Sequence, residues 1–301
     1  MTPTTLSPGK ALSPLVALAL IVPSCALERE PVLDQASVIA NTSVRAEPTS
    51  SSRTLFRLPE GERVSILGKS GAWYRVLDKD AFGGWMDETT LLLDSTLEQM
   101  RIMLAESAGI EVQNTVTTRD AVNLRVAPGR DSSIVRRLGR NLTLEVLDRA
   151  TTPGPGGEGT DIWLKVRPGP DQIGWVYAPL VQFGVPDALA PFTEGRIYAG
   201  VRVLAEVTDP EVGRVHWYVV AERRPGASPE VAFDGIRVFT WNLNQHRYET
   251  SLRLGDLRGA YPVEIIGNPP GFRFHVLEAA GNPRPREFAM RGTVPREVPI
   301  E

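Results

Sequence analysis

Short segments in which apolar and polar residues alternate dominate the chain beyond residue 35. Val64-Ser65-Ile66 and Leu144-Glu145-Val146 are two examples, and a period of two is typical of strands that bury one face. Glycine and proline separate these segments and account for 27 and 25 of the 301 residues, a content that suits a protein with many turns. The pattern therefore predicts a mainly β fold.

A helical pattern is found at residues 94–110. Leu97, Met100 and Leu104 recur at the spacing that places them on one face of a helix. Ser95, with Glu98 three residues later, forms a capping-box pattern at the start of the segment. We therefore expect a short helix here, with its apolar stripe packed on neighbouring strands.

An internal repeat organises the chain on either side of this helix. The segment from Ser43 to Pro48 reappears as the segment from Asn123 to Pro128, with an arginine at the third position of each. The arginines are 80 residues apart, whereas the first tryptophans of the two copies are 90 residues apart. The ten additional residues fall in the Pro- and Gly-rich stretch 151–160, and a loop tolerates such an insertion. The matched pairs are Arg45 and Arg125, Leu58 and Leu138, Trp73 and Trp163, and Trp85 and Trp175.

The order of these residues resembles the bacterial SH3 domain (SH3b). An arginine and a proline come first, then a hydrophobic strand, a Trp-x-basic-Val strand and a Gly-Trp strand. The copies span residues 36–93 and 115–183, and the second copy is the closer match. The resemblance implies two small, strongly bent β-barrels, and it implies a family of which many members bind cell-wall peptides or position a neighbouring domain.

The segment 190–301 has a different pattern and forms a separate predicted domain. Its alternating, β-branched and aromatic segments predict an antiparallel sheet or a small sandwich. Trp241 to Thr250 is its densest polar and aromatic stretch. This stretch is either a recognition loop for a carbohydrate or peptide, or a hairpin in which Trp241 and Tyr248 pack on the sheet, and we favour the hairpin. The complete predicted fold is mainly β, with two small SH3-like barrels joined by a short helix and a C-terminal antiparallel β domain.

The N-terminal residues 1–25 resemble a bacterial lipoprotein signal, and residues 26–35 form a linker. Lys10 precedes a twelve-residue apolar run, which is too short to span a bilayer, and Ser24 precedes Cys25. The resemblance implies lipidation of Cys25. Cleavage after Ala26 by an ordinary signal peptidase is the alternative. Under either interpretation the chain is exported.

Composition limits the chemistry. A formal charge of −3 and a pI near 5.8 give no electrostatic reason to expect a nucleic acid as a partner. The single cysteine, Cys25, lies in the signal and excludes a cysteine peptidase and a cysteine-ligated zinc site. His216, His246 and His275 have no spacing typical of metal ligands. A glycosidase pair among the 36 acidic residues stays open, but no catalytic residue, metal or cofactor is predicted.

The repeated aromatic residues are the candidates for a binding site. Identical spacing in both copies favours a core role for Trp85 and Trp175. Arg45 and Arg125 are expected to make hydrogen bonds inside the barrels. The residues predicted to flank a ligand groove are Trp73 and Tyr74 in the first copy and Trp163 and Tyr177 in the second.

The sequence thus predicts a non-catalytic, membrane-anchored binding or scaffold lipoprotein that faces the periplasm or the cell exterior. Its partner would be peptidoglycan or an envelope protein, and the membrane contact would be made through the N-terminal lipid alone. The first alternative is an accessory subunit with a specific protein partner. The second is a cell-wall hydrolase with an unrecognised pair of carboxylates in residues 190–301.

Overall fold

The computed structural model describes residues 1–2, 30–278 and 282–300, and the chain divides into the units Met1–Pro31 and Val32–Glu301. All of the elements below belong to the second unit. The signal segment and Cys25 lie outside the described residues. Within the described ranges, no helix is long and apolar enough to cross a membrane.

The first copy of the repeat folds as a seven-stranded antiparallel sheet. Its strands follow the order β3-β2-β6-β5-β4-β1-β7, and a 3-10 turn at Glu88–Thr90 connects the last two strands along the chain. Every second residue of the strands faces one core, which explains the alternation in the sequence. The strands are β1 (Asp34–Val38), β2 (Thr42–Arg45), β3 (Thr54–Leu58), β4 (Arg63–Ser70), β5 (Trp73–Leu77), β6 (Gly83–Asp87) and β7 (Leu91–Leu93).

Helix α1 (Asp94–Glu106) follows β7 directly and buries Thr96, Met100 and Met103. The two methionines belong to the core of the second sheet. The structure differs from the predicted capping box, because the helix begins before Ser95, whose hydroxyl donates a hydrogen bond to Asp34 at 2.5 Å.

The second copy has the same order of connections, β10-β9-β13-β12-β11-β8-β14. Its central hairpin, β11 and β12, has strands of 11 and 10 residues, whereas β4 and β5 have 8 and 5 residues. The ten inserted residues therefore lengthen this hairpin. The strands are β8 (Asn114–Thr118), β9 (Val122–Arg125), β10 (Ile134–Leu138), β11 (Thr143–Pro153), β12 (Thr160–Gly169), β13 (Gln172–Tyr177) and β14 (Val181–Phe183).

Two further antiparallel sheets of four strands each follow, and a shared core of buried side chains packs between them. A 3-10 segment, Asp187–Phe192, precedes them, and its Leu189 packs on the other face of the first of these sheets. The strands are β15 (Ile197–Asp209), β16 (Gly213–Arg223), β17 (Gly235–Asn242) and β18 (Arg247–Leu254), then β19 (Gly259–Ile266), β20 (Gly271–Leu277), β21 (Pro283–Arg291) and β22 (Val294–Val298).

Gln113 joins the second copy to these C-terminal sheets. Its backbone N–H donates to the Val146 carbonyl at 2.8 Å, and its own carbonyl accepts from Val201 N–H at 2.7 Å. Its side-chain oxygen accepts from Val263 N–H at 2.7 Å, and the residue has no exposed surface. The backbone of Gln113 thus bonds to β11 and β15 and its side-chain amide to β19, so that the second copy and the C-terminal sheets share hydrogen bonds.

Candidate functional site

A cleft opens beside Trp73 on the first sheet, and we call it the Trp73 cleft. It has a volume of about 710 Å³ and lies between the start of β2, the β2–β3 turn, the end of β3 and the facing ends of β5 and β6. Trp73 is half-buried and forms an aromatic wall. The lining residues are Asn41, Thr42, Ser43, Arg45, Ser50, Arg57, Leu58, Pro59, Trp73 and Asp87.

Three charged side chains line the Trp73 cleft. The Arg45 guanidinium donates to the Ser52 carbonyl at 2.7 Å and so holds the β2–β3 turn. One oxygen of Asp87, Oδ1, accepts from the N–H and the hydroxyl of Thr89 at 2.8 and 2.6 Å. Arg57 is exposed and, in the described part of the chain, makes no side-chain hydrogen bond or ion pair. Among the residues that the structure describes, the cleft therefore offers a guanidinium without a partner, a carboxylate with one unbonded oxygen and an aromatic surface.

Tyr74 does not flank this cleft. Successive residues of a strand point to opposite faces. Trp73 lines the cleft, so its neighbour Tyr74 points into the core of the first sheet. It is 7% exposed. The prediction of an exposed Tyr74 is corrected for this reason.

Trp163 occupies the position of Trp73 in the second copy, but it is 2% exposed. The long β11–β12 hairpin places Trp163 opposite Ala150, within the paired strands. Its ring N–H donates to the Thr152 hydroxyl at 3.0 Å. Trp73, by contrast, pairs with Ser70 at the turn end of its hairpin. The predicted surface role of Trp163 is thus corrected, because the inserted residues extend the sheet around it.

Tyr177 belongs to a side-chain cluster that we call the Arg130 cluster, made of Arg130, Asp161 and Tyr177. The Arg130 Nε atom lies 2.7 Å from Asp161, and the guanidinium carbon lies 4.6 Å from the centre of the Tyr177 ring. The Tyr177 hydroxyl donates to Asp161 at 3.1 Å. Hydrogen bonds from Arg130 and then from Tyr177 hold the pKa of Asp161 below its ordinary value. The Tyr177 ring also contacts Trp163, with the ring centres 5.5 Å apart.

The repeat predicts a core position for Trp85 and Trp175, but both rings are only half-buried. Trp175 packs against the core of the second sheet. The glycine before each tryptophan leaves no room for a side chain. A Cβ on Gly84 would lie 2.5 Å from Val44 and 2.7 Å from the Arg45 carbonyl, and a Cβ on Gly174 would lie 2.7 Å from the Arg125 carbonyl. The repeated Gly-Trp pair therefore lets one strand approach the arginine strand closely. The matched arginines bind turn carbonyls, Arg45 that of Ser52 and Arg125 that of Ser132.

The polar and aromatic stretch after Trp241 is held by a buried carboxylate, Asp209. Trp241 N–H donates to Asp209 at 2.6 Å, and the His246 Nδ1 atom lies 2.8 Å from it. Burial alone would raise the pKa of Asp209, but the hydrogen bonds from Trp241, from the backbone of Val212 and Glu211 and from His246 hold it well below its ordinary value. The hydrogen bond with Asp209 raises the pKa of His246. Trp241 is buried here, in a hairpin.

The three histidines lie on different elements. His216 pairs with Glu206 at 3.3 Å, His246 with Asp209, and the Nδ1 atom of His275 is buried without a hydrogen-bond partner. Across the described ranges, no group of three or more His, Cys, Asp and Glu side chains is placed to hold a metal ion.

Residues 40–91, which contain the Trp73 cleft, match the model of the bacterial SH3 domain family. Bacterial SH3 domains commonly bind peptidoglycan or other components of the cell envelope. The match falls in the first copy, whereas the sequence pattern indicates the second copy, residues 115–183, as the closer resemblance. No curated protein matches the chain.

Solved structures similar to the chain include NlpC2 and NlpC1 from Trichomonas vaginalis and an NlpC/P60 family protein from Bacillus cereus. Their sequence identities are 13%, 13% and 12%, and their TM-scores are 0.18, 0.19 and 0.18. The similarity covers 85%, 86% and 83% of this chain and 92%, 88% and 93% of theirs.

These neighbours correct the functional prediction. The sequence predicts a non-catalytic scaffold lipoprotein, whereas the solved structures found belong to the NlpC/P60 family of cell-wall hydrolases. The predicted non-catalytic scaffold role is therefore wrong and is not retained. The family match at residues 40–91 is a separate finding and agrees with a partner in the cell envelope. TM-scores below 0.2 carry no active-site residue over to this chain.

Proposed function

We propose that the bacterial SH3 domain at residues 40–91 binds the peptide part of peptidoglycan in the Trp73 cleft. The observation that carries the proposal is the open cleft itself, because it lies on the family-matched part of the chain and exposes an aromatic wall and a free cation. Function is argued from the site and not from the fold alone.

The chemistry of the cleft favours a peptide with a free carboxylate. A guanidinium can bind a carboxylate through two parallel hydrogen bonds, and Arg57 has no partner of its own among the described residues. The half-buried Trp73 ring offers apolar contact to the ligand backbone or side chains. Arg45 is already engaged with the Ser52 carbonyl and shapes the turn beside the ligand.

The second copy belongs to the proposal as a second SH3-like module. Its support is the shared strand order and the repeated Arg, Gly and Trp positions. The face that corresponds to the Trp73 cleft is occupied by the Arg130 cluster. We therefore propose that the first copy carries the ligand and that the second copy connects it to the C-terminal sheets through Gln113.

Export and lipid anchoring on Cys25 complete the proposal. Their support is the apolar run after Lys10 and the small residue Ser24 before the cysteine. Cys25→Ser should move the protein from the membrane fraction to the soluble fraction and abolish labelling by a radioactive fatty acid. Ser24→Ala keeps a small residue at this position and should behave like the unsubstituted chain.

Binding can be tested by sedimentation of the full chain, purified in detergent, with sacculi that have been boiled in SDS to remove proteins. Arg57→Gln should weaken binding about tenfold, since it removes a charge-assisted hydrogen bond. Arg53→Gln is the matched control, because Arg53 is exposed on the same hairpin and does not line the cleft. Equal binding by the two variants would overturn the role of the cleft. If the unsubstituted chain stays in the supernatant, wall binding is wrong, and an envelope protein becomes the partner to seek.

A further inference from the structure

The Arg130 cluster stands where the first copy has the Trp73 cleft. Arg130 follows Ser50 by 80 residues, the spacing of the matched arginines, and Ser50 lines the cleft. Trp163 pairs with Tyr177 across β12 and β13 in the register in which Trp73 pairs with Asp87 across β5 and β6.

A guanidinium therefore occupies this place in the second copy. It lies on the Tyr177 ring and is held by the Asp161 carboxylate, which is the combination of aromatic face and anion that attracts a cation. The chain thus contains a cation site that is filled by its own side chain.

The first copy has an aromatic ring and a carboxylate in its cleft, and neither of the two arginines that line the cleft, Arg45 and Arg57, pairs with the Asp87 carboxylate within the described part of the chain. Ser50 is too short to reach across the cleft, and the turn residue Gly71, 90 positions before Asp161, carries no carboxylate. The anion is supplied by Asp87, which faces Trp73 directly across the strands. Its Oδ1 atom caps the Glu88–Thr90 turn, and its Oδ2 atom makes no hydrogen bond within the described part of the chain.

We infer that the corner between Trp73 and Asp87 binds a cationic group of the ligand, such as the ammonium group of a peptide. This rests on the proposed function and deepens it, because Arg57 provides a site for a carboxylate in the same cleft. The ligand class is then a zwitterionic peptide with a free amine and a free carboxylate. A neutral or purely acidic glycan does not satisfy both charges.

The test compares native SDS-boiled sacculi with sacculi whose amines have been acetylated, using the full chain. Acetylation removes the positive charge and keeps the rest of the polymer, so binding should fall about tenfold. Asp87→Asn removes the carboxylate charge and retains an oxygen that can cap the turn. It should weaken binding to native sacculi to the same extent and leave binding to acetylated sacculi unchanged. Glu106→Gln removes an equal charge on the exposed end of α1 and is the control.

The outcomes separate the inference from the proposed function. Equal binding of native and acetylated sacculi by the unsubstituted chain would leave wall binding in place and overturn the cation site. A loss in Asp87→Asn that is the same for both kinds of sacculi would also overturn it, because the effect would not depend on the amine. Failure to bind native sacculi at all would overturn the proposed function as well. The acetylation comparison uses the unsubstituted protein and is decisive even if Asp87→Asn folds poorly.

Discussion

Trp73 and Trp163 hold the same position in two copies of one repeat, yet one forms the wall of an open cleft and the other is 2% exposed. The difference comes from the neighbours of the two rings. The second copy has a longer hairpin, and it has Arg130 and Asp161 where the first copy has Ser50 and Gly71. Two sheets with the same strand order therefore differ at this position: the ring lines an open cleft in the first and is covered by neighbouring side chains in the second.

Replacing Arg130 by the residue that the first copy has at this position should open a cation site. In Arg130→Ser, the Asp161 carboxylate and the Tyr177 ring lose the guanidinium between them. We expect millimolar methylguanidinium to raise the melting temperature of this variant by about a few degrees more than that of the unsubstituted chain. Arg119→Ser, at an exposed position outside the cluster, is the control. The same response from both variants would show that the Arg130 cluster is not a cation site.

The glycines of the repeated Gly-Trp pair should not tolerate a side chain. Gly174→Ala would bring a Cβ within 2.7 Å of the Arg125 carbonyl, so we expect the free energy of unfolding to fall by about 1–3 kcal/mol. Urea unfolding followed by tryptophan fluorescence measures this change. Gly139→Ala has no neighbouring atom within 4 Å and should have little effect. A destabilisation that is equal at the two positions would argue against close strand approach as the cause.

The buried side chain of Gln113 should contribute to the free energy of unfolding through its hydrogen bond with Val263. In Gln113→Ala the buried Val263 N–H loses its hydrogen-bond acceptor, which should lower the free energy of unfolding by about 1–3 kcal/mol. Gln182→Ala, at an exposed site of β14, provides the comparison in the same denaturant titration. If the two variants unfold at the same urea concentration, the joint between the second copy and the C-terminal sheets does not depend on this amide.

The contact between His246 and Asp209 predicts a dependence of stability on pH. Because the hydrogen bond with Asp209 raises the pKa of His246, its stabilising effect is complete below about pH 6.5, the ordinary value, and is lost as the pH rises through the folded-state pKa. Asp209 has the opposite sign: its pKa is lowered, so its contribution is lost as the pH falls below about 4.

Melting temperatures measured between about pH 5 and pH 9 test the histidine contribution. The melting temperature of the unsubstituted chain should fall as the pH rises through the upper part of this range. In His246→Ala, the part of this fall that comes from the histidine should be absent. His216→Ala is the control, since His216 pairs with Glu206 and not with Asp209. A pH profile of His246→Ala that coincides with that of the unsubstituted chain would contradict the prediction.

The mainly β fold and the repeated positions could be predicted from the sequence, because they depend on local regularities. Alternation places every second residue on one face of a strand, and the repeated arginines hold the same place in the strand pairing, Arg45 opposite Trp85 and Arg125 opposite Trp175. The segment Val294–Val298 contains proline and charged residues and has no strand pattern of its own, and it forms strand β22 by pairing with β21.

The chemistry of the two copies depended on tertiary structure. The spacing that identifies Trp73 and Trp163 as equivalent says nothing about their exposure, because the exposure of a ring is set by the side chains and hairpin that lie beside it. Arg130 lies in the turn before β10, Asp161 lies 31 residues later in β12, and Tyr177 lies in β13, so no local pattern links them. The sequence by itself determined the repeat and its β scaffold, since these rest on periodicity along the chain. Only the packing of distant residues decided which of the two equivalent tryptophans lines an open cleft.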